Sequence, residues 1–421
     1  MKKKTFIAVL VTTIALASQF STWDKPAVAN AELSEDMNKG VSTMISSVKL
    51  TDITTHWAKG AIDKAVERGF AKGYPDGTFK PNSNVTRAEF IKMTVEALKI
   101  SVDSTTTGGT WYDAYVNAAK NANLYVESDF NSGNLNSQMT RKEMARLSAR
   151  AIGEKTTDDT KWMYLATKKG LISGLGAGKL GESDNTTRAQ SVTIIDRILT
   201  VNAGGSLPVD KYAVASAEVV WHGTNIFTVM PEVFTSNDPT KKDQDAELWK
   251  KENMIINSKD GEYSGEIEYV IAIDLADPND PNLKLVPPIS SLKWQNNISS
   301  SSLTEGIPVS KWRDSYLIYY KSRVVFSKNS EHYAPISIRN NVPLSISGTD
   351  GDVYAYLEGA LNKIAPVFKD KPMDQTIFLF PKKGWTQNRP LTIAINTPGY
   401  SNTFYKTQQL LTISGPFIKS Y

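Results

Sequence analysis

The stretch Asp52–Phe90 reads DITTHWAKGAIDKAVERGFAKGYPDGTFKPNSNVTRAEF. Trp57, Ile62, Ala65 and Val66 recur at helical spacing, which predicts a first helix with one apolar face. Gly69 ends it, as glycine does beyond the last helical turn. Gly73-Tyr74-Pro75-Asp76-Gly77-Thr78-Phe79 is a turn segment, because Pro presets φ and Gly tolerates φ > 0. Phe90, Met93, Ala97 and Leu98 then predict a second helix.

The pattern returns twice. Thr86-Arg87-Ala88 is echoed by Thr140-Arg141-Lys142 and Thr187-Arg188-Ala189. Eighteen residues before each arginine stand Gly69, Asn123 and Gly170, followed by Phe70, Leu124 and Leu171. Trp57, Trp111 and Trp162 precede the arginines by 30, 30 and 26 residues. The difference of four is about one helical turn, so the third tryptophan is expected on the same helix face, and all three in the core. Three tandem helix–loop–helix units follow.

Thr86 with Glu89, Thr140 with Glu143 and Thr187 with Gln190 have the spacing of capping boxes. That explains the threonines and acids but not the arginines, since a cation in the first turn opposes the helix dipole. A guanidinium beside free N–H groups at a helix N-terminus makes an anion site. The alternative is a structural Arg–Glu pair.

Asp52–Phe90 closely resembles an S-layer homology motif, and about 48–100, 106–153 and 157–201 are similar to three such motifs within 48–204. The resemblance implies an all-α pseudo-trimer, with a central three-helix bundle and three surrounding prongs. It implies non-covalent attachment to a secondary cell wall polymer or peptidoglycan-linked glycan of a Gram-positive cell, a pyruvylated amino sugar being the usual unit. Carried over to matching positions, the ligand-binding residues are Arg87, Arg141 and Arg188, with Asp52, Tyr74, Glu89 and Gln190. Tyr74 either stacks on a sugar or packs its loop. The loops of the second and third units, at Val126–Gly133 and Gly174–Leu180, lack Gly-Tyr-Pro-Asp-Gly. Arg87→Ala is therefore expected to weaken wall binding more than Arg141→Ala.

Lys2–Lys4 and the apolar run Phe6–Ala17, followed by small residues up to Ala31, read as a secretory signal peptide over 1–31. Residues 32–47 are an N-terminal segment, and no transmembrane segment is expected in the mature chain. Of 421 residues, 40% are hydrophobic and 22% charged, and the net charge is +4. Without cysteine, thiol chemistry and disulfides are excluded, and three histidines leave few imidazole options. The balance lacks the basic footprint of a nucleic-acid binder.

Ala203–Pro208 is rich in Gly, Ser and Pro, which places a linker at 205–210 and a β-rich, sandwich-like region at 211–421. Twelve of 17 tyrosines and five of nine tryptophans lie there. Strands are expected at Glu218–Trp221, Tyr269–Ile273, Tyr316–Tyr320, Arg323–Phe326, Thr376–Phe380, Leu391–Ile395 and Leu410–Ile413. One helix is expected at Val353–Ala365, with Tyr354, Leu357, Leu361 and Ile364 on one face. Asp274, Asp277 and Asp280 are candidate calcium ligands, against a plain turn favoured by Pro278 and Pro281; no other cofactor is expected. No nucleophile elbow or HExxH pattern occurs, so a surface protein that assembles with a partner, another surface-layer protein among them, is preferred to a wall-anchored hydrolase using unidentified carboxylates.

Overall fold

The computed structural model describes residues 50–421 apart from 104–108, 131, 236–244, 297–305, 334–341, 388, 400, 402, 414–418 and 421. The expected signal peptide and the segment 32–47 lie outside the described residues.

The helical part contains α1 (Lys59–Glu67), α2 (Arg87–Ala97), α3 (Asp113–Asn121), α4 (Arg141–Ala151), α5 (Trp162–Lys168) and α6 (Arg188–Asn202). Each expected break adopts a left-handed backbone, with φ of +79° at Gly69, +56° at Asn123 and +71° at Gly170. Thr86, Thr140 and Thr187 cap α2, α4 and α6 through complete capping boxes with Glu89, Glu143 and Gln190. The units interlock in a cycle: α2 packs on α3, α4 on α5, and α6 returns to α1.

A ring of backbone hydrogen bonds closes that cycle. Val85 N donates to Thr186 O (2.9 Å), Thr186 N to Met139 O (2.8 Å), and Met139 N to Val85 O (2.9 Å). All three residues are fully buried, where an unpaired peptide group is costly. Each stands immediately before a capping threonine, so the ring sets the start of three helices at one place.

Two of the tryptophans depart from expectation. Trp57 and Trp111 are 67% and 56% exposed, whereas Trp162 is buried. Trp57 and Trp111 precede α1 and α3 by two residues and sit at the helix rim. Trp162 begins α5 itself, and the four-residue offset therefore changes its environment.

The rest of the chain is sheet-rich but opens with a helix. α7 (Lys211–His222) replaces the strand expected at Glu218–Trp221. Asp210 caps it by accepting from Tyr212 N and Ala213 N, and Ala213, Val214, Ala217 and Trp221 are buried at helical spacing. The helical period sustained over twelve residues outweighs the local β preference of Val219 and Val220. Two short helices follow, α8 (Ile226–Val229) and α9 (Pro231–Phe234).

The strands are β1 (Ile255–Asn257), β2 (Tyr263–Asp274), β3 (Lys293–Trp294), β4 (Ile307–Pro308), β5 (Ser315–Ser327), β6 (Leu344–Ser347), β7 (Ala365–Phe368), β8 (Ile377–Pro381), β9 (Thr386–Gln387), β10 (Leu391–Asn396), β11 (Thr407–Ile413) and β12 (Lys419–Ser420). Helices α10 (Ser330–Tyr333) and α11 (Val353–Leu357) lie between them. One sheet has the order β1-β2-β5-β8-β7-β3-β4, all neighbours antiparallel. A three-stranded sheet has the order β11-β10-β6, and β9 pairs with β12.

The expected strands at Tyr316–Tyr320 and Arg323–Phe326 are one strand, β5. Its near-continuous apolar start is explained by burial on both faces: Tyr316, Ile318 and Tyr320 join the core shared with the helical part, and Leu317 joins a second core around Trp294. The helix expected over Val353–Ala365 stops at Leu357. Gly359, at φ +100°, turns the chain, and Ala365 begins β7.

The helical and sheet-rich parts share one continuous apolar cluster. Tyr164 of α5 lies against Trp221 of α7, with ring centroids 4.8 Å apart, and Lys161 Nζ sits 4.4 Å above the same indole. Gly174 N donates to the Asp210 carboxylate at 3.0 Å. Among the described residues no helix is long and apolar enough to cross a membrane.

Candidate functional site

The three arginines reach across the cycle, each into the loop of the following unit. Arg87 clamps Glu143 with two bonds, Nη2 to Oε1 at 2.6 Å and Nε to Oε2 at 3.2 Å. Its Nη1 donates to Ser132 Oγ (3.0 Å) and Asn134 O (2.9 Å). Arg141 Nε donates to Leu180 O and Nη2 to Ser173 O, both at 2.8 Å. Arg188 Nε donates to Phe79 O (2.9 Å) and Nη2 to Lys72 O (3.0 Å). The intact Gly-Tyr-Pro-Asp-Gly loop is thus met by Arg188, not by Arg87 of the same unit. The reason given above for ranking Arg87 over Arg141 therefore fails.

The N-terminal amides expected to meet an anion are also occupied. Arg87 N, Arg141 N and Arg188 N donate to Ser137 O, Asp184 O and Ser83 O at 2.8–3.0 Å. The next amides donate to Leu135 O, Glu182 O and Pro81 O. Glu89 Oε2 accepts from Thr86 N at 2.7 Å and Gln190 Oε1 from Thr187 N at 3.0 Å, so both side chains complete caps. Asp52 accepts from Phe79 N and Lys80 N, each at 2.8 Å, and ties the motif's start to the end of its loop. Burial raises its pKa, but these two backbone donors outweigh burial, and the carboxyl lies below the usual aspartate range. Tyr74 is half-buried, with Lys80 Nζ 4.1 Å and the Arg188 guanidinium 5.0 Å from its ring centroid.

What distinguishes the three units is how charge is balanced. In the second, Glu143 neutralises Arg87, while Asp129 pairs with both Arg146 and Arg150. In the first, Glu96 stands where the second has Arg150, and it pairs with Lys92 at 2.6 Å. In the third, Gln190 replaces the acid and Arg197 takes the corresponding place. Among the described residues, neither Arg141 nor Arg197 forms an ion pair. Arg197 Nη1 donates to Leu171 O at 3.0 Å and to Ser173 Oγ at 3.4 Å. Burial lowers the pKa of both guanidiniums, yet arginine keeps its charge. Asp184, the acid that Arg141 feels, contacts Lys179 at 3.9 Å.

Arg141, Arg197, Gln190 and the exposed indole of Trp57 line a cavity of about 180 Å³, floored by Ser173 and Gly174. Reading tripeptides along the chain found Arg141 and Gln190. It placed Trp57 in the core and missed Arg197, because the groove's walls come from opposite ends of the helical part. The usable signal was the Gln190 exception to the Glu pattern, together with Arg197 nine residues after Arg188.

In the sheet-rich part, the calcium candidates make other bonds. Asp274 pairs with Lys382 at 2.7 Å, and Asp277 with Lys211 at 2.5 Å and Tyr212 OH at 2.8 Å. Asp280 is buried and accepts from Asp274 N (3.1 Å) and Asn282 N (2.9 Å). Burial raises its pKa. The three line a cavity of about 60 Å³, room for one or two waters.

Residues 49–91 match the family model of the S-layer homology domain. The chain is 32% identical over 174 residues to an amylopullulanase of Thermoanaerobacterium thermosulfurigenes, covering 35% of this chain and 9% of that protein. It is 41% identical over 51 residues to a cellulosome-anchoring protein of Acetivibrio thermocellus, covering 12% and 11%. It is 28% identical over 154 residues to the S-layer protein sap of Bacillus anthracis, covering 33% and 19%. The chain therefore spans a fifth or less of the length of these curated relatives. Residues 49–91 thus carry an S-layer homology domain, and the chain is similar over part of its length to surface-layer and surface-anchoring proteins.

Proposed function

We propose that the helical part anchors the protein to the cell wall as a pseudo-trimer of three S-layer homology motifs. An anionic wall glycan, such as a pyruvylated amino sugar of a secondary cell wall polymer, seats between Arg141, Arg197 and Trp57. The sheet-rich part then faces outward for assembly or partner binding. The observation that carries this reading is the pair of guanidiniums without a carboxylate on one groove. Arg141 is buried and Arg197 half-buried, neither in an ion pair among the described residues, and an arriving carboxylate offsets the cost of holding both charges out of water. The exposed Trp57 indole offers an apolar face to a sugar ring. The groove is smaller than the roughly 300–1,000 Å³ of drug-sized sites, which suits one sugar unit rather than a long oligosaccharide.

The test is co-sedimentation of the full chain with isolated wall sacculi, before and after acid extraction of their attached polymers. Hydrogen bonds to a charged partner contribute about 1.5–3 kcal/mol, so Arg197→Gln weakens binding about 10- to 150-fold. Trp57→Ala, at an exposed position, weakens binding without loss of stability. Arg87→Gln acts through folding and has the smaller effect on the folded protein. Wild-type binding by both Trp57→Ala and Arg197→Gln defeats the groove assignment. Full binding to extracted sacculi defeats the choice of ligand.

A further inference from the structure

Far along the chain, a turn and a short helix bring an imidazole against two carboxylates. The turn between β1 and β2 passes through Gly261 at φ +72° and presents Asp260 and Glu262. Asp260 Oδ1 accepts from Ser258 Oγ (2.5 Å), Tyr333 OH (2.9 Å) and Glu262 N (3.1 Å). Those bonds leave Oδ2 directed at His332, 3.9 Å from its Nδ1. Glu262 Oε2 lies 3.5 Å from the same nitrogen.

Asn329 fixes the tautomer of the ring. Its Oδ1 accepts from Glu331 N and His332 N, both at 3.1 Å, so its amide nitrogen must face the other way. That nitrogen donates to Glu262 Oε2 at 2.9 Å and touches His332 Nδ1 at 3.0 Å. An amide NH2 only donates, so Nδ1 accepts from Asn329 and the ring proton sits on Nε2; a ligand that takes the Nδ1 lone pair displaces that amide. The His332 ring stacks on Phe404 with centroids 3.8 Å apart and an interplanar angle of 19°, which holds its plane.

We propose that Asp260, Glu262 and His332 bind a divalent transition metal of the zinc type. Their ligand atoms all lie within 4.8 Å of one another. A tetrahedral ion with bonds of 2.0–2.1 Å needs ligand atoms about 3.3 Å apart; the two imidazole–carboxylate edges, 3.5 and 3.9 Å, close with shifts of about half an ångström, and the carboxylate–carboxylate edge closes from within 4.8 Å. Two carboxylates and an imidazole lone pair are all acceptors, and a cation replaces the one Asn329 amide that Nδ1 and Glu262 Oε2 share. Imidazole with carboxylate suits zinc and its neighbours, whereas calcium and magnesium prefer oxygen ligands alone. Ser258 and Tyr333 hold Asp260 through its other oxygen, as outer partners do in metal sites. The ion ties the β1–β2 turn to α10 and, through Phe404, to the segment between β10 and β11, and it keeps a fourth position for water.

The experiment titrates ZnCl2 by calorimetry into full chain freed of metal by chelator, alongside His332→Gln, Asp260→Asn and Glu262→Gln. Circular dichroism of each metal-free variant establishes that it is folded. The expected result is one equivalent for the wild type, at least tenfold weaker binding for each variant, and a melting midpoint that rises with zinc in the wild type alone. Cobalt in place of zinc gives the visible absorption of a four-coordinate ion, lost in His332→Gln. Unchanged zinc binding by folded His332→Gln overturns the proposal. So does absence of binding by the wild type, or displacement of zinc by equimolar calcium.

Discussion

Replacing Glu143 removes two things at once, and they can be separated. The carboxylate caps α4 by accepting from Thr140 N at 3.0 Å, and it holds the Arg87 guanidinium through two bonds. The paired side chains are only 9% and 12% exposed, so solvent screens them little. Removing one partner of a buried pair costs about 3–5 kcal/mol. Arg87 keeps Ser132 Oγ and Asn134 O, which places Glu143→Ala near the lower end, about 3 kcal/mol for the pair, with roughly 1 kcal/mol more for the cap. Glu143→Gln keeps the cap, as Gln190 does in the third unit, and loses about 2 kcal/mol. The readout is native-state hydrogen exchange at the amides of Val85, Met139 and Thr186, which open when the cycle opens. A cost of 3 kcal/mol speeds exchange about 150-fold. Adding Arg87→Met to Glu143→Gln recovers part of the loss, because an apolar pair replaces a broken ionic one. If both Glu143 variants exchange within threefold of the wild type, the pair does not hold the cycle together.

Other expectations concern the backbone and buried ionisable groups. Gly69→Ala costs about 1 kcal/mol by urea denaturation, since nothing lies within 4 Å of the added Cβ and the penalty is that of φ +79° alone. Asn123→Gly, at the equivalent turn, stabilises by a few tenths of a kcal/mol. Glu218, buried in α7, accepts from Phe227 N at 3.0 Å and bonds Thr228 Oγ1, and burial raises its pKa to about 8. Between its unfolded value and pH 8 the folded state holds the extra proton, so stability falls as pH rises through that window; Glu218→Gln removes the slope by at least about 1 kcal/mol between pH 5 and 8. His222, four residues on, is pushed down to about 3, first by burial and then by Lys161 and Lys251. Here the unfolded state takes up the proton first, so stability falls as pH drops from about 6.5 towards 3, and His222→Phe flattens that limb in acid denaturation.

Local chemistry was legible in the sequence, and long-range partnership was not. The capping boxes at Thr86, Thr140 and Thr187 and the breaks at Gly69, Asn123 and Gly170 depend on residues a few positions apart, and each formed as expected. The destination of each arginine depends on which unit lies next in the cycle. Arg87 meets Glu143, 56 positions away, and Arg188 reaches Lys72, 116 positions away. Nothing in a tripeptide encodes that choice. In the sheet-rich half, β-branched runs marked the central strands. The run Glu218–Trp221 misled because a cap at Asp210 and an apolar period of 3.6 operate over twelve residues. The cluster at Asp260, Glu262 and His332 joins positions about 70 apart and carried no local signature.

The three bonds joining Val85, Met139 and Thr186 make the helical part indivisible. A fragment with two units leaves one donor and one acceptor of the ring bare, at a spot from which water is otherwise excluded. A second molecule can satisfy them, so truncation favours exchange of units between chains rather than a smaller monomeric bundle. Insertion or deletion of a single unit breaks closure in the same way. Copy number should therefore change by threes.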